Sequence, residues 1–525
     1  MSRAAKLFVK PYPEVPVPDV GNKEGFPAYS KSFKENYIQM CLTNTLGNTF
    51  YTNQKDLLKE ANEYHKKMAV VDPVYMAKAL AYARNVGFMR TQNILGLVYL
   101  SEAKMSKQLF EQTFNAVIRT PNDLSDFATM LSSVRKGQGG RRVRSTVAKW
   151  LTKKLNEYWI VKYGAEKKDG SYSIRDMIAA FHPKGLDSNY FNYVFDNHEK
   201  VDFEKVLMFG AFELLKKATT EDEKAKYIRN GKLPHEVAST FAGNSVKVWT
   251  SIVPNMPLFA TLRNLATMEK HSIIDAFREH LKQKFANPEH IKKAKILPFR
   301  FLSAMEKVNT TWVKDILRKA VEDSVSSLPE IQGKTAILID ASGSMRNDYA
   351  RIAFMLGISM FKKSNAEQVI VFSDIAYDIT SKLSTVDSVL TQVDNWTFRP
   401  QQGYPLWGGT ATDRAFLALK QQKIDNIILI TDEQQNSGYP AYQAYTKWKQ
   451  HNNRNAKLFV INVAPYTNCA ICPADENNYG VYGWNDNVLS FIAAASKGFS
   501  KFVDEVDNYK FSPTPEMSES ETNID

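Results

Sequence analysis

Oxygen-bearing side chains are closely spaced in the segment Asp340-Ala-Ser342-Gly-Ser344. Asp340 is the last residue of a short apolar run, 335–340, that contains β-branched side chains and predicts a buried strand. Apolar residues at positions 352, 355, 356 and 360 then lie on one face of a predicted helix. Open α/β sheets hold their binding sites at such junctions between a strand and the next helix. A carboxylate and two hydroxyls placed there are hard oxygen ligands that suit Mg²⁺, Mn²⁺ or Ca²⁺.

Two later segments place similar side chains in the same context. Gly408-Gly-Thr410 precedes a predicted helix, and the apolar strand 427–431 is followed by Asp432. A single Asp-x-Ser-x-Ser motif is weak evidence, because acidic residues and serines also cap many helices. The three segments together resemble the metal-ion-dependent adhesion site of von Willebrand factor A (vWA) domains, which implies a bound divalent cation, with Mg²⁺ expected first. The residues that the resemblance implies as ligands are Ser342, Ser344 and Thr410 by direct contact, and Asp340 and Asp432 partly through water.

The length and composition are those of an ordinary globular protein with more than one domain. The 525 residues exceed the size at which a single hydrophobic core keeps growing. Three cysteines are too few for a disulfide framework and suit a reducing compartment. The start of the sequence lacks a signal-peptide pattern, and the apolar runs are too short to cross a bilayer. The sequence therefore predicts a cytoplasmic protein without a membrane partner.

Positive charge is concentrated in the first part of the chain. Residues 1–330 contain 51 Lys and Arg against 35 Asp and Glu, a net charge of +16. Residues 331–525 contain 17 against 21, a net charge of −4. A strongly basic region next to a mildly acidic one predicts a polyanionic partner for the first region only.

A change in periodicity near residues 328–333 marks the predicted domain boundary. Ahead of it, helical periodicity over residues 30–328 predicts an all-α domain of paired antiparallel helices, stacked as a HEAT-like solenoid. Beyond it, predicted strands and helices alternate as in a doubly wound, Rossmann-like α/β sheet. The strands are predicted at 335–340, 368–373, 426–431 and 457–463, and the helices at 347–362, 411–421, 440–450 and 487–496. The predicted domains are an extended Pro-rich segment (1–24), the all-α domain (25–330), the α/β domain (331–510) and a disordered tail (511–525).

The densest positive charge lies in residues 135–154, which contain eight Lys and Arg and no Asp or Glu. After a Gly-rich stretch, this segment has the pattern of an amphipathic helix. Neighbouring cations on a helix repel one another, so the pattern costs stability unless an anion offsets the repulsion. A phosphate backbone is such an anion, whereas the alternative interpretation is a solvated helix face. The residues predicted here to bind a nucleic-acid backbone are Arg135, Lys136, Arg141, Arg142 and Lys149.

A second group of cations, at Lys162, Lys167 and Lys168, precedes His182. His182 is followed by a proline at a predicted helix end, where an imidazole can donate to a phosphate or stack on a base. A histidine at a helix end is more often a cap, so its assignment depends on the neighbouring lysines. With them, it joins the residues predicted to bind RNA.

Six segments resemble the TROVE module of the Ro ribonucleoprotein family, and the vWA-like motif follows them in the order that this family has. The most specific is the ten-residue string Met256-Pro-Leu-Phe-Ala-Thr-Leu-Arg-Asn-Leu265. The resemblance extends over about residues 25–505. It is greatest to bacterial Ro-like (Rsr-type) members, because the richer cysteine content of eukaryotic members is missing. The other five segments are Leu46–Tyr51, Lys136–Arg141, Arg175–Pro183, Leu233–Glu236 and Arg300–Ala304.

The resemblance implies a ring of helical repeats closed by the vWA domain, which acts as a non-catalytic RNA-binding protein in RNA quality control. Members of this family hold small non-coding Y-type RNAs on a basic outer surface and single-stranded 3′ ends of misfolded or decaying RNAs in the central hole. In bacterial members a Y-type RNA tethers the exoribonuclease polynucleotide phosphorylase, which is therefore an expected partner. The family motif places His182, Lys162 and either Lys167 or Lys168 in the Y-RNA contact region, and Arg141 and Arg142 on the basic surface.

Two other functional classes account for parts of the sequence. A vWA-type adaptor would bind a partner's carboxylate through its cation, but it leaves the net charge of +16 in residues 1–330 unexplained. A metal-dependent hydrolase or nuclease fits less well, because Ser- and Thr-rich single-ion sites lack the paired carboxylates that hold two metals. Cys469-Ala-Ile-Cys472 has the spacing of a redox or zinc site, although one such pair is more often structural. The sequence favours an RNA-binding protein that is not an enzyme.

Overall fold

The structure is a computed structural model that describes residues 16–511, except 136–138, 166, 295, 297, 327, 347, 398–403, 405, 421, 485 and 498–500. The described residues form two compact units. The α/β unit comprises residues 16–44, 48–53 and 325–505, and the all-α unit comprises residues 45–47, 54–324 and 506–511. The predicted fold class, an all-α domain together with a doubly wound α/β domain, is confirmed.

Residues 25–44, predicted to begin the all-α domain, belong instead to the α/β unit. Strand β1 (Val20–Gly21) pairs with β2 (Pro27–Ser30) in an antiparallel hairpin, and helix α1 (Phe33–Thr43) follows. The Gln39 side-chain amide on α1 donates to the carbonyls of Ala464 and Tyr466, at 2.7 and 2.8 Å. Local periodicity carries no information on such distant partners. The sequence therefore predicted a boundary after residue 24, whereas the α/β unit continues to residue 44. Residues 1–15 of the predicted Pro-rich segment lie outside the described residues.

The all-α unit consists of short amphipathic helices that pack on their neighbours along the chain. The helices are α2 (Gln54–Val71), α3 (Pro73–Asn85), α4 (Thr91–Leu100), α5 (Lys107–Val117), α6 (Pro121–Arg135), α7 (Arg141–Lys154), α8 (Glu157–Tyr163), α9 (Ile174–Phe181), α10 (Ser188–Val194), α11 (Leu207–Lys217), α12 (Glu221–Gly231), α13 (His235–Ala242), α14 (Val246–Ile252), α15 (Leu258–Lys270), α16 (Arg278–Phe285), α17 (Pro288–Ala294), α18 (Pro298–Glu306) and α19 (Thr311–Ser326). Helix α3 packs on α4 and α5, and α12 packs on α11 and α14. Contacts between helices one and two places apart are typical of stacked helical repeats.

The α/β unit continues after α19 with alternating strands and helices. Its elements are β3 (Ile331–Asp340), α20 (Asp348–Lys363), β4 (Ser364–Phe372), β5 (Ala376–Asp378), α21 (Val389–Thr397), α22 (Thr412–Leu417), β6 (Asn426–Thr431), α23 (Ala441–His451), β7 (Lys457–Asn462), β8 (Asn468–Cys469), β9 (Asn478–Tyr482), α24 (Asp486–Ser496) and α25 (Phe502–Asp507). Residues 506–511, predicted as the end of the α/β domain and the start of the tail, belong to the all-α unit, where the Asn85 amide donates to the Tyr509 hydroxyl at 3.2 Å. The rest of the predicted disordered tail lies outside the described residues.

Six strands form the central sheet in the order β5-β4-β3-β6-β7-β9, and all neighbours are parallel except β4 and β5. Strands β3, β4, β6 and β7 overlap the four predicted strands. The edge strands were not predicted, because β5 has three residues and β9 lacks an apolar run. A smaller antiparallel sheet joins β1, β2 and β8.

Both faces of the central sheet are covered. Leu338 on β3 lies in a buried cluster with Leu429 on β6 and Tyr445 on α23. The next residue, Ile339, points to the opposite face and meets Gly357 on α20, where a Cβ would lie 2.5 Å from the Ile339 Cδ1 atom. Glycine therefore lets α20 approach the strand closely. Burial on both faces explains why these strands are continuous apolar runs.

The cysteines lie inside the fold as free thiols. Cys41, Cys469 and Cys472 are all buried. Burial raises the pKa of Cys469 well above its usual range, and its Sγ lies 3.4 Å from the carbonyl oxygen of Tyr29. The pair at 469 and 472 therefore serves packing in this structure. Among the helices in the described part of the chain, none is long and apolar enough to span a membrane.

Candidate functional site

The oxygen ligands predicted for a cation lie at the carboxyl ends of β3 and β6. These strands are direct neighbours, with Ile339 paired to Ile430, so Asp340 at the end of β3 and Asp432 just after β6 reach the same edge of the sheet. All five predicted ligands are buried. Their relative exposures are 0% for Asp340, Ser342 and Asp432, 1% for Thr410 and 6% for Ser344.

Hydrogen bonds fix the carboxylate of Asp340. Its Oδ1 accepts from the Ser342 backbone N–H at 2.9 Å, and its Oδ2 accepts from the Thr431 hydroxyl at 2.6 Å. The hydroxyl oxygens of Ser342 and Ser344 lie 3.3 Å apart, and the Ser344 hydroxyl also interacts with the Asp432 carboxylate. The structure therefore brings these four predicted ligands into one cluster.

Thr410 reaches the same edge on a glycine-rich loop. The Gly343 N–H donates to the Gly408 carbonyl at 2.8 Å, which joins the loop to the turn that carries the two serines. The Thr410 N–H donates to Asn436 Oδ1 at 2.8 Å, and the Asn436 N–H donates back to the Thr410 carbonyl at 3.0 Å. A Cβ on Gly408 would lie 1.9 Å from Asp374 Oδ2, so a larger residue would displace this carboxylate, which accepts from the Gly409 N–H at 2.9 Å. The loop is thus held between the serine turn and the segment after Asp432.

The two buried carboxylates disfavour each other's charge. Burial raises the pKa of Asp340, and burial together with the Asp340 carboxylate raises the pKa of Asp432 to about 7. Asp432 Oδ2 is buried and has no hydrogen-bond partner within the part of the chain that the structure describes. A buried carboxylate oxygen without a donor needs a proton or a cation. Three hydroxyls and two carboxylates in one buried cluster therefore fit a hard divalent cation.

The sequence analysis missed the side chains that surround these ligands. Thr431 directly precedes Asp432, so the sequence motif could have indicated it. Tyr349 follows Ser344 by five residues, at the start of α20. Tyr51 and Tyr466 come from distant segments, so spacing could not reveal them. The rings of Tyr51 and Tyr466 pack edge to face with centroids 5.6 Å apart. Burial, with a further contribution from the Asp432 carboxylate, raises the pKa of all three tyrosines, so their hydroxyls stay neutral.

A second candidate site is an open groove of about 1050 Å³ on the all-α unit, which we call the basic groove. It is formed by one face of α7, the Gly139–Gly140 approach to that helix, and the end of α9. Its described lining contains six cationic or imidazole side chains and no Asp or Glu. These six are Arg141, Arg144, Lys149, Lys153, His182 and Lys184.

The N-terminus of α7 adds to the positive potential of the basic groove, and the C-terminus of α9 brings His182 to it. Helix α7 begins at Gly140 without a side-chain cap or an acidic residue in its first turn. Its free N–H groups therefore carry partial positive charge next to three arginines, an arrangement that favours an anion. Helix α9 ends at His182, whose left-handed backbone (φ 48°) places the exposed residue at the groove.

Arg142 and Arg135, two of the predicted RNA-binding residues, are held by the protein itself. The Arg142 guanidinium donates to the carbonyls of Ser101, Ala103 and Met105 at 2.8 to 3.0 Å. It also lies 4.9 Å from the centroid of the Phe110 ring. Arg135 forms an ion pair with Glu102 at 2.7 Å. Neither residue lines the basic groove.

The lysines that were predicted to bind RNA together with His182 do not line the basic groove either. The Lys162 side chain is 6% exposed and pairs with Glu236 at 3.0 Å, while Lys167 Nζ donates to Asn122 Oδ1 at 2.9 Å. Lys168 is exposed but does not line the groove, and Lys136 lies outside the described residues. Of the predicted RNA-binding residues, the structure brings together Arg141, Lys149 and His182. The cations that it adds to them are Arg144, Lys153 and Lys184.

Comparison with known proteins identifies the fold. Residues 232–369 match the TROVE domain family. The crystal structure of the Deinococcus radiodurans Ro (Rsr) protein is similar over 89% of this chain and 100% of that chain, with a TM-score of 0.64 and 16% sequence identity. The chain has a Ro-like fold and contains a segment that matches the TROVE domain family. The match to the TROVE domain family runs from the end of α12 into β4, so it crosses the domain boundary predicted at residue 330. The basic groove precedes the matched residues, and its assignment therefore depends on geometry and charge.

Proposed function

We propose that this protein binds RNA through the basic groove and performs no catalytic step on it. The groove itself carries the proposal, because it gathers five Lys and Arg without a carboxylate among its described lining residues. Two of them, Arg141 and Arg144, lie in the uncapped first turn of α7, and Lys149 also pairs with Glu111 at 2.8 Å. The side chains of Arg141, Arg144 and Lys153 make no hydrogen bond or ion pair with other described residues. RNA phosphates would neutralise these cations and release counterions, which is the main source of affinity for a nucleic-acid backbone.

The RNA that we propose is a Y-type small non-coding RNA, held on the outer surface that contains the basic groove. Single-stranded 3′ ends of misfolded or decaying RNA form the second proposed ligand class, and polynucleotide phosphorylase is a proposed partner in RNA quality control. The Ro-like fold and the sequence resemblance to the Ro family support these ligands. His182 supports them further, since an exposed imidazole beside a phosphate-binding surface can stack on a base or donate a hydrogen bond.

A titration of fluorescently labelled structured RNA tests the groove. The triple variant Arg141→Glu, Arg144→Glu, Lys153→Glu removes three phosphate contacts, each of which contributes about 0.7 to 0.9 to the slope of log K against log salt. The slope should therefore become shallower by about 2 to 3, and affinity at 0.1 M salt should fall about 100- to 500-fold.

A matched control carries the same change of charge elsewhere on the all-α unit. Lys66→Glu, Lys226→Glu and Arg229→Glu alter three exposed helical cations outside the groove, and the triple control should bind RNA within a few-fold of the parent protein. Equal loss of affinity in both triple variants would show that only net charge matters, and the groove would not be the binding site.

The cation site supports a second proposed role, in which the α/β unit acts as a metal-dependent adaptor for an acidic partner. The observation in its favour is the unpartnered, buried Oδ2 of Asp432, in the cluster that also contains the Ser342 and Ser344 hydroxyls. We propose that Mg²⁺ is held by Ser342, Ser344, Thr410, Asp340 and Asp432, where it would attract a carboxylate ligand. Asp340→Ala or Ser342→Ala should reduce the gain in melting temperature that Mg²⁺ produces, because a ligand that binds only the folded state stabilises it. RNA hydrolysis that requires Mg²⁺ and disappears in Asp340→Ala would contradict the proposed non-catalytic role.

A further inference from the structure

Helix α10 carries aromatic residues on two of its faces. Tyr193 is buried, and its ring stacks on that of Phe209 in α11, with centroids 3.9 Å apart and planes inclined by 7°. The Tyr193 hydroxyl donates to Glu213 Oε1, also on α11, at 2.7 Å. These contacts fix the rotation of α10 about its axis. Phe191 and Phe195 lie together on a different face, because they are four residues apart and the Phe195 N–H donates to the Phe191 carbonyl at 3.1 Å, as in a helical turn.

The rings of Phe191 and Phe195 form a stack that is open to solvent on one side. Their centroids lie 4.6 Å apart, and their planes are inclined by 26°. Phe191 is 43% exposed although Phe195 covers one face of its ring, so the exposed area lies on the other face and the edge. A large apolar ring exposed to water gains free energy when a second flat apolar surface covers it.

Arg175 adds a cation to this stack. Its guanidinium carbon lies 5.0 Å from the centroid of the Phe195 ring, within the range of a cation–π contact. An ion pair with Asp196, 2.6 Å between Nη1 and Oδ2, holds the guanidinium there. Because Arg175 belongs to α9, this contact joins the start of α9 to the end of α10. We call Arg175, Phe191 and Phe195 the aromatic platform.

Helix α9 connects the aromatic platform to the basic groove. Arg175 lies in its first turn, and His182, which lines the groove, directly follows its last residue. Positions i, i+4 and i+7 share one side of a helix, so the exposed Ala179 lies between Arg175 and His182 on the same side of α9. The segment after His182 is held on the groove helix, since the Thr152 hydroxyl of α7 donates to the Lys184 carbonyl at 3.4 Å.

The distance between the two surfaces suits a short stretch of nucleic acid. The seven residues from Arg175 to His182 advance about 10 Å along the axis of α9. A stacked strand advances about 3.4 Å per nucleotide, so about three nucleotides span this distance. An RNA whose backbone lies in the basic groove can therefore reach the aromatic platform with its next nucleotides.

We propose that the aromatic platform is a stacking site for an unpaired base of the RNA held in the basic groove. This inference rests on the proposed binding of RNA by that groove. A nucleobase presents a flat π-face whatever its identity, so it stacks on the open face of Phe191 and continues the array of ring and guanidinium. The Asp196 carboxylate beside Arg175 repels phosphate, so the platform contacts a base and not the backbone. The preferred ligand is thus an RNA with unpaired bases next to the part that the groove holds.

Fluorescence anisotropy of a labelled duplex RNA tests the proposal on the full chain. The duplex is interrupted by an internal loop of unpaired bases and has blunt ends, so that it offers no single-stranded 3′ end. Phe191→Ala should weaken binding about 5- to 150-fold, the range found when one stacked base loses its aromatic partner. Phe191→Leu, which keeps an apolar side chain without a ring, should weaken it similarly, and Phe191→Trp should bind as the parent protein does. Since none of these changes removes a charge, the slope of log K against log salt should stay as in the parent, unlike in the triple variant of the groove.

Phe241→Ala is the matched control for Phe191→Ala. Phe241 belongs to α13 of the same unit and is 46% exposed, but its ring meets Phe212 edge to face and does not line the basic groove. The control variant should bind the RNA as the parent does. Equal loss of affinity in both variants would show that exposed apolar area alone matters, and would refute the platform.

An RNA with abasic nucleotides in the internal loop provides the second measurement, because it keeps every phosphate and lacks only the unpaired bases. The parent should bind this RNA as weakly as Phe191→Ala binds the intact one, and Phe191→Ala should bind both RNAs alike. If the triple variant of the groove binds RNA as the parent does, the groove itself is misassigned. If that variant loses affinity while Phe191→Ala and Phe191→Leu match Phe241→Ala on both RNAs, the groove stands and the aromatic platform is refuted.

Discussion

Arg142 and Arg144 lie on the same helix turn, yet the structure predicts opposite consequences of their removal. Arg142 donates to three backbone carbonyls at 2.8 to 3.0 Å and packs on Phe110, whereas Arg144 is exposed and lines the basic groove. Arg142→Ala should therefore reduce stability, and Arg144→Ala should reduce RNA affinity. The two variants remove the same side chain two residues apart, so each is the control for the other.

The magnitudes follow from the contacts. A hydrogen bond from a charged donor contributes about 1.5 to 3 kcal/mol to stability, and the carbonyls that lose Arg142 are partly rehydrated. The free energy of unfolding should thus fall by about 2 to 4 kcal/mol in Arg142→Ala. Arg144→Ala should change the stability by less than about 0.5 kcal/mol, as exposed substitutions usually do. Its loss of one phosphate contact should weaken RNA binding about 5- to 8-fold at 0.1 M salt.

Two assays separate the outcomes. Urea unfolding, followed by far-ultraviolet circular dichroism, measures stability, and fluorescence anisotropy of labelled RNA over a range of salt concentrations measures affinity and its slope. The reasoning is refuted if Arg142→Ala retains parental stability and loses affinity with a shallower salt slope. Arg142 would then contact phosphate, as the sequence alone predicted.

Three further predictions concern the all-α unit. Burial lowers the pKa of His65 to about 3. The neutral side chain therefore contributes stability that is complete above pH 6.5 and is lost as the pH falls towards 3. In His65→Gln, the change in the free energy of urea unfolding across this pH range should be smaller than in the parent protein by up to about 5 kcal/mol. Gly231→Ala should destabilise the protein by about 1 to 3 kcal/mol, because the new Cβ would lie 2.3 Å from the Cβ of Ala211, whereas Gly210→Ala, whose nearest contact is 3.7 Å, should be neutral or stabilising in the same denaturation assay. His182→Asn keeps a residue that tolerates the left-handed backbone, so it should preserve the melting temperature while weakening Y-type RNA more than RNA with a single-stranded 3′ tail in competition anisotropy.

The fold was predictable where local pattern and tertiary environment agree. The strands buried on both faces are continuous apolar runs, and the helices between them have one apolar face, so β3, β4, β6 and β7 were found from periodicity alone. The domain boundaries were harder. Residues 25–44 contain a regular helix, and only the distant partners of this segment, at residues 464, 466 and 469, assign it to the α/β unit.

The cluster of predicted oxygen ligands for a metal ion could be found from the sequence, because each ligand follows a strand or precedes a helix within a short motif. Parallel strands bring such motifs to one sheet edge whatever the length of the intervening chain. The side chains around the ligands do not obey this rule. Tyr51 and Tyr466 come from segments far apart in the sequence, and no strand order specifies the contact between their rings.

The distribution of cations shows what a finer use of helical geometry would have added. The lining of the basic groove contains residues 141, 144, 145, 148, 149 and 152, which are spaced as one stripe along α7. Arg142 instead shares its face with Thr146 and Trp150, both buried, at positions i+4 and i+8. A cation in line with buried residues has a protein partner more often than a ligand, since an unpaired charge is costly to bury. Net charge thus predicted that the helix binds an anion. Only the phase of each Arg relative to the apolar stripe distinguishes the cations that line the basic groove from Arg142, which holds the 101–105 turn.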